Sequence, residues 1–102
     1  NVYVTDADGT VIAYLRNGQG ERWSQPALGY RELSRPTPVS SYLAVADFEG
    51  YVHLMSQIDG KFVGRVKADG AGARADMLSD GNVLYVYGNS GDLIAYQITA
   101  KD

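Results

Sequence analysis

Cysteine is absent from this chain of 102 residues. Its absence excludes disulfides and thiolate metal centres but leaves the compartment open, since a large sheet protein does not depend on covalent staples. Histidine occurs once, at His53, so neither a His-based metal cluster nor a Ser-His-Asp triad can be assembled within this stretch. No run approaches the roughly 18 apolar residues of a membrane-crossing helix. Nine Lys and Arg against twelve Asp and Glu give a formal charge of −3. The basic residues stand singly and form no stripe for a phosphate backbone, so no nucleic-acid partner is expected. Sustained 3.6-residue apolar spacing is missing as well, because Gly and Pro interrupt every few residues while Tyr and Val dominate the apolar set. Helix content should therefore be near nil. The chain opens at Asn1 inside a strand pattern, with no initiator Met, charged-then-apolar leader or lipid-attachment cysteine. It is expected to be an excerpt of a longer protein.

What is present is a repeat. Gly9, Gly50 and Gly91 are spaced 41 residues apart. The surrounding segments align as VYVTDADGTVIAYL from Val2, LAVADFEGYVHLMS from Leu43 and LYVYGNSGDLIAYQ from Leu84. Val4, Val45 and Val86 share a column, as do Val11, Val52 and Leu93, then Ile12, His53 and Ile94, then Tyr14, Met55 and Tyr96. A period near 40 residues is that of a four-stranded propeller blade. Strands are expected over 2–5, 10–15 and 21–24, over 42–46, 51–56 and 62–67, and over 83–87 and 92–98. Shorter extended stretches should precede the later copies, around Thr37 to Val39 and Ala75 to Leu78. Asp6-Ala7-Asp8-Gly9, Asn17-Gly18-Gln19-Gly20, Asp47-Phe48-Glu49-Gly50 and Asp59-Gly60 read as hairpin turns.

The strand segments Val11–Leu15 and Leu93–Tyr96 are apolar on both faces, whereas a hairpin sheet with one wet face would alternate. Sheets stacked face to face around an axis bury both faces of their middle strands, as propeller blades do. A β-sandwich would also be all-β, but it gives no reason for a strict period. With 45% apolar residues a modest core is possible. The expected fold is thus all-β, a β-propeller fragment of about two and a half four-stranded blades.

Several residues invite a chemical reading. Asp6-Ala7-Asp8-Gly9 looks like the opening of a calcium loop, yet of the equivalent turns Asp47-Phe48-Glu49-Gly50 keeps two acids and Gly88-Asn89-Ser90-Gly91 none, and no glutamate follows at the required spacing, so turn chemistry accounts for it. His53 shares its column with isoleucines, which suggests an imidazole packed between blades. Trp23 and most tyrosines fall in scaffold columns. Tyr30, Phe48 and Tyr51 lie in or beside loops and are candidates for partner contact. Arg31, Glu32, Arg35 and Arg74 precede inner strands and read either as solvated loop charges or as a partner-binding patch. Gly70-Ala71-Gly72 is followed by no Lys-Ser/Thr and reads as a connection rather than a phosphate loop. No catalytic, cofactor-binding or metal-ligating residue is assigned.

From Gly9 the segment GTVIAYLRNGQGERW resembles the repeat of pyrroloquinoline-quinone-type propellers, with Gly9, Val11, Ala13 and Trp23 in place. The second copy keeps Gly50 and Val52 but carries Gly64 where the tryptophan should stand. The run LSRPTPVSSYLAVADFEGYVHLMSQIDGKFVGRV from Leu33, with the terminal GDLIAYQIT, is similar to the C-terminal blades of the BamB family of outer-membrane barrel assembly lipoproteins. That resemblance implies a lipid-anchored propeller of about eight blades on the periplasmic face of the outer membrane. Its role would be to bind the barrel-inserting subunit BamA and to assist insertion of outer-membrane proteins, without catalysis and without a cofactor. It further implies that residues 1–24 supply three strands of one blade, 36–67 a complete blade and 75–99 three strands of the final one. The exposed strand edge at 92–98 would then invite self-association or pairing with unfolded outer-membrane proteins. The resemblance carries over no docking residue; Tyr30, Arg31, Arg35, Phe48, Tyr51 and Arg74 are candidates on chemistry alone. A quinone-dependent dehydrogenase and a generic propeller adaptor remain as alternatives.

Overall fold

The computed structural model describes residues 2–17, 19–29, 31–67, 77–87 and 93–98. These form ten strands, and no helix occurs among the described residues. The strands are β1 (Val2–Thr5), β2 (Val11–Tyr14), β3 (Glu21–Gln25), β4 (Thr37–Val39), β5 (Tyr42–Ala46), β6 (Tyr51–Ser56), β7 (Phe62–Lys67), β8 (Met77–Asp80), β9 (Val83–Tyr87) and β10 (Leu93–Gln97). They pair antiparallel into three sheets ordered β1-β2-β3, β4-β5-β6-β7 and β10-β9-β8.

The hairpin turns show why the repeat is written as it is. Asp6 Oδ1 accepts the N–H groups of Asp8 at 3.0 Å and Thr10 at 2.9 Å. Asp47 Oδ1 likewise accepts those of Glu49 at 3.0 Å and Tyr51 at 3.1 Å. Gly9 and Gly50 then close their turns with φ of 86° and 95°, a region that a residue bearing a Cβ enters only at a cost. The repeated Asp and Gly are thus turn residues, each for its own backbone reason. The Gly88-Asn89-Ser90-Gly91 turn lies outside the described residues.

Two apolar clusters lie between the sheets. Val11, Ala13, Trp23 and Leu28 of the first unit meet Leu43, Val45 and Met55 of the second. Val39, Ala44, Ala46 and Val52 of the second meet Met77, Leu84 and Val86 of the third. Four consecutive residues of β5, Leu43 to Ala46, are fully buried. Since successive side chains point to opposite faces, only a sheet covered on both sides can bury all four. At one edge the sheets converge: β4 touches β8, and Ser79 donates its hydroxyl hydrogen bond to Pro38 O at 2.7 Å. β7 therefore forms the outer rim of the second sheet. Both three-strand outer halves carry a register shift at the same repeat position, Ala13/Tyr14 and Leu54/Met55.

Candidate functional site: the groove between the first two sheets

The second repeat differs from the first by a polar substitution in the core. Where the first has Asp6 and Ile12, the second has Asp47 and His53, six residues apart in the same columns. In the first repeat Asp6 is exposed, whereas Asp47 is 0% and His53 4% exposed. Asp47 Oδ2 accepts a hydrogen bond from His53 Nε2 at 2.8 Å and pairs with Arg31 Nη1 at 3.3 Å. Both carboxylate oxygens are therefore engaged, which is the condition under which a buried charge is tolerated. Burial alone would raise the Asp47 carboxyl above its ordinary value. The His53 hydrogen bond, the Tyr51 N–H, the positive charge His53 carries when protonated and the Glu49 N–H outweigh that effect and hold it below.

This network fixes the connection between the first two sheets. Phe48 N–H donates to Arg31 O at 3.2 Å, Ser34 N–H to Ala46 O at 2.8 Å, and Ala46 N–H to Ser34 Oγ at 3.0 Å. Arg31 also reaches Glu49 Oε1 at 3.9 Å. The linking segment, the 47–50 turn and the start of β6 are thus held as one frame.

Against that frame lies a groove of about 330 Å³ lined by Ala27, Leu28, Arg31, His53, Phe62, Gly64 and Arg65. His53 meets the edge of Phe62 with ring centroids 6.1 Å apart. Gly64 stands in the tryptophan column and faces Leu54 across the ladder; a Cβ built on it meets nothing within 4 Å. Beside the groove, Arg65 and Lys67 both lie over the Tyr51 ring, at 4.8 Å and 5.1 Å from its centroid. These are cation–π contacts.

Of the residues expected to touch a partner, Arg31, Phe48 and Tyr51 come together here. Phe48 is 44% exposed at the turn and Tyr51 is half-buried under its cations. Arg35 is exposed and lies elsewhere, beside Pro36, Thr37, Pro38, Met77 and Leu78 at the inner strands. Tyr30 and Arg74 lie outside the described residues, as does Gly70-Ala71-Gly72. Sequence reasoning saw the burial of His53 but not its partner. The signal was present, because a lone His in an isoleucine column requires a polar neighbour, and Asp47 was available in the adjacent turn. Phe62, Arg65 and Lys67 went unnoticed because an outer strand with every residue exposed shows no periodicity. Among the described residues no His/Cys/Asp/Glu cluster is arranged to hold a metal ion. What the arrangement can do is present aromatic and cationic side chains from a rigid frame.

Antiparallel sheets, one of four strands between two of three among the described residues, repeated at a fixed period and stacked face to face, define a segment of a β-propeller. No family model matches the chain. Its sequence is 47% identical over 98 residues to the outer membrane protein assembly factor BamB of Pseudomonas aeruginosa, covering 96% of this chain and 26% of that protein. It is 40% identical over 103 residues to the same factor of Marinobacter adhaerens, covering 99% of this chain and 26% of the relative. The crystal structure of BamB from Moraxella catarrhalis superposes with a TM-score of 0.79 at 27% identity, over 94% of this chain and 28% of that one. The chain belongs to the BamB family, and it spans about a quarter of the length of the curated relatives it matches.

Proposed function

We propose that this chain forms blades of a non-catalytic scaffold at the periplasmic face of the outer membrane, where it binds BamA and assists insertion of outer-membrane proteins. The observation that carries this reading is the likeness of nearly the whole chain, at up to 47% identity, to proteins named as outer membrane protein assembly factors. The site chemistry is compatible with it. A scaffold acts through surfaces whose shape is fixed before the partner arrives, since ordering cost is then not charged against binding. Asp47, His53 and Arg31 provide that fixation, and Phe48, Tyr51, Arg31 and Arg65 are of the residue types that dominate protein-binding hot spots. The buried His-Asp pair has a structural explanation in the turn it holds, and no nucleophile is hydrogen-bonded to it among the described contacts.

The test is capture of BamA from outer-membrane extract by the full-length protein, with an Arg31→Glu, Phe48→Ala double variant beside it. Recovery of BamA by the wild type supports the scaffold role. Weaker recovery by the variant would place part of the contact in this groove, and equal recovery would place it elsewhere in the protein. No BamA with the folded wild type would sink the reading.

A further inference from the structure

We propose that the outer edge of β7 accepts an extended peptide strand carrying two carboxylates two residues apart, set opposite Arg65 and Lys67. This rests on the scaffold reading above and specifies the chemistry of a second class of partner for it.

β7 is the terminal strand of its sheet, and among the described residues nothing pairs with its outer side. The inner strands β4 and β8 converge at the opposite edge. The first and third sheets cover the two faces of the second and leave this rim open. An unpaired edge is a template for strand addition, and natural proteins usually block it. Here the block is partial. Val63 is the extra residue at the register shift, whereas Gly64 to Lys67 pair regularly with Leu54 to Tyr51. Four residues of regular ladder thus face outward.

The side chains of those four residues specify the guest. Arg65 and Lys67 are two residues apart, so they project to the same face. They share the Tyr51 ring, and neither is ion-paired to a carboxylate among the described residues. Two like charges over one ring are an unmatched positive site in a chain whose formal charge is −3. A strand added antiparallel or parallel to β7 places alternate side chains beside these two cations. Carboxylates at those positions complete both pairs. The intervening guest side chain falls on the other face, beside the exposed Val66 and the gap at Gly64, and an apolar residue suits it. None of this chain's own ten described strands carries two acids two residues apart, so a second copy is not the matching guest.

The experiment measures fluorescence anisotropy of labelled ten-residue peptides with the full-length protein. One peptide alternates Glu with Val; a second has Lys in place of Glu. Two further versions of the Glu peptide are N-methylated on one or the other alternate set of backbone amides. The proposal expects the Glu peptide to bind, the Lys peptide to bind at least tenfold more weakly, and one N-methylated set to abolish binding while the other leaves it. Arg65→Glu with Lys67→Glu should reverse the preference between Glu and Lys peptides. Equal binding of both peptides, or indifference to both N-methylated sets, would overturn it, as would no binding of any peptide. BamA capture is measured on the same preparation. Peptide indifference alongside BamA capture overturns strand addition alone, whereas loss of BamA capture by the wild type overturns the scaffold reading.

Discussion

The six-membered ring of Trp23 packs against Gly60, so that a Cβ built on that glycine would come within 2.8 Å of Cδ2. The indole Nε1 donates to Gln57 O at 3.0 Å, and Gln25 Nε2 donates to Gly60 O at 3.0 Å. The outer strand of the first sheet thus clamps the turn that follows β6 of the second. Gly60 also holds φ at +75°. Gly60→Ala should therefore combine left-handed backbone strain with displacement of a buried indole, for a loss of about 2–4 kcal/mol. Urea denaturation with an unchanged slope checks it. A loss below about 0.5 kcal/mol, the size of an ordinary surface substitution, would mean that the ring shifts freely.

That clamp shows how much of the architecture was legible. The 41-residue glycine period and the strand segments apolar on both faces announced stacked sheets. The same columns did not reveal that Trp23 presses on a glycine of the next repeat, since contacts across repeats lie outside any single column. The site was half legible. Arg31, Phe48 and Tyr51 were chosen for residue type and loop position; Arg31 lines the groove, while Phe48 and Tyr51 stand beside it, Phe48 bonded to Arg31 O and Tyr51 under Arg65. Arg35 and Arg31 were read together as leading into an inner strand; Arg35 does lie beside the inner strands, whereas Arg31 lines the groove. The Asp47–His53 bond was hidden because the turn role of Asp47 already accounted for its presence.

Stability should depend on the ionisation of Asp47. Its folded-state carboxyl is held below the ordinary value of 3.8, so folding favours the ionised form. The contribution is fully present above the unfolded value and is lost as pH falls through the folded one. Each unit of pH in that window costs up to about 1.4 kcal/mol. Asp47→Asn keeps an oxygen for the Glu49 and Tyr51 N–H groups but removes the titration. Its stability profile from pH 5 to 2 should be flatter than that of the wild type; parallel profiles would assign the acid sensitivity to other carboxylates.

His53→Ile restores the residue of its two repeat partners, Ile12 and Ile94, and so tests the polar bond without opening a cavity. Asp47 would keep Arg31 and two backbone donors. The expected loss is about 1–2 kcal/mol. Asp47→Ala, which strips the turn and leaves His53 and Arg31 without their acceptor, should cost about 3–5 kcal/mol. In a double-mutant cycle the two should be coupled by at least about 1 kcal/mol. Additive effects would show that the 2.8 Å bond between them contributes little to stability.

The 102-residue chain should self-associate through its third sheet. Among the described residues β10 is the terminal strand there, its Leu93 is 63% exposed, and the adjoining, mostly apolar hollow is lined by Val52, Leu54, Val66, Leu84, Tyr96, Gln97 and Ile98. In the second sheet the strand at the matching position, β6, is covered by β7. An uncovered strand beside apolar surface recruits a partner because both the backbone donors and the hollow gain by it. Sedimentation equilibrium should show dimers or larger species whose fraction rises with concentration. Ala95→Pro, which removes one ladder donor and stiffens the strand, should shift the distribution toward monomer. A wild-type chain that sediments as a monomer at the highest concentration reached would show that the β10 edge is closed by the chain itself.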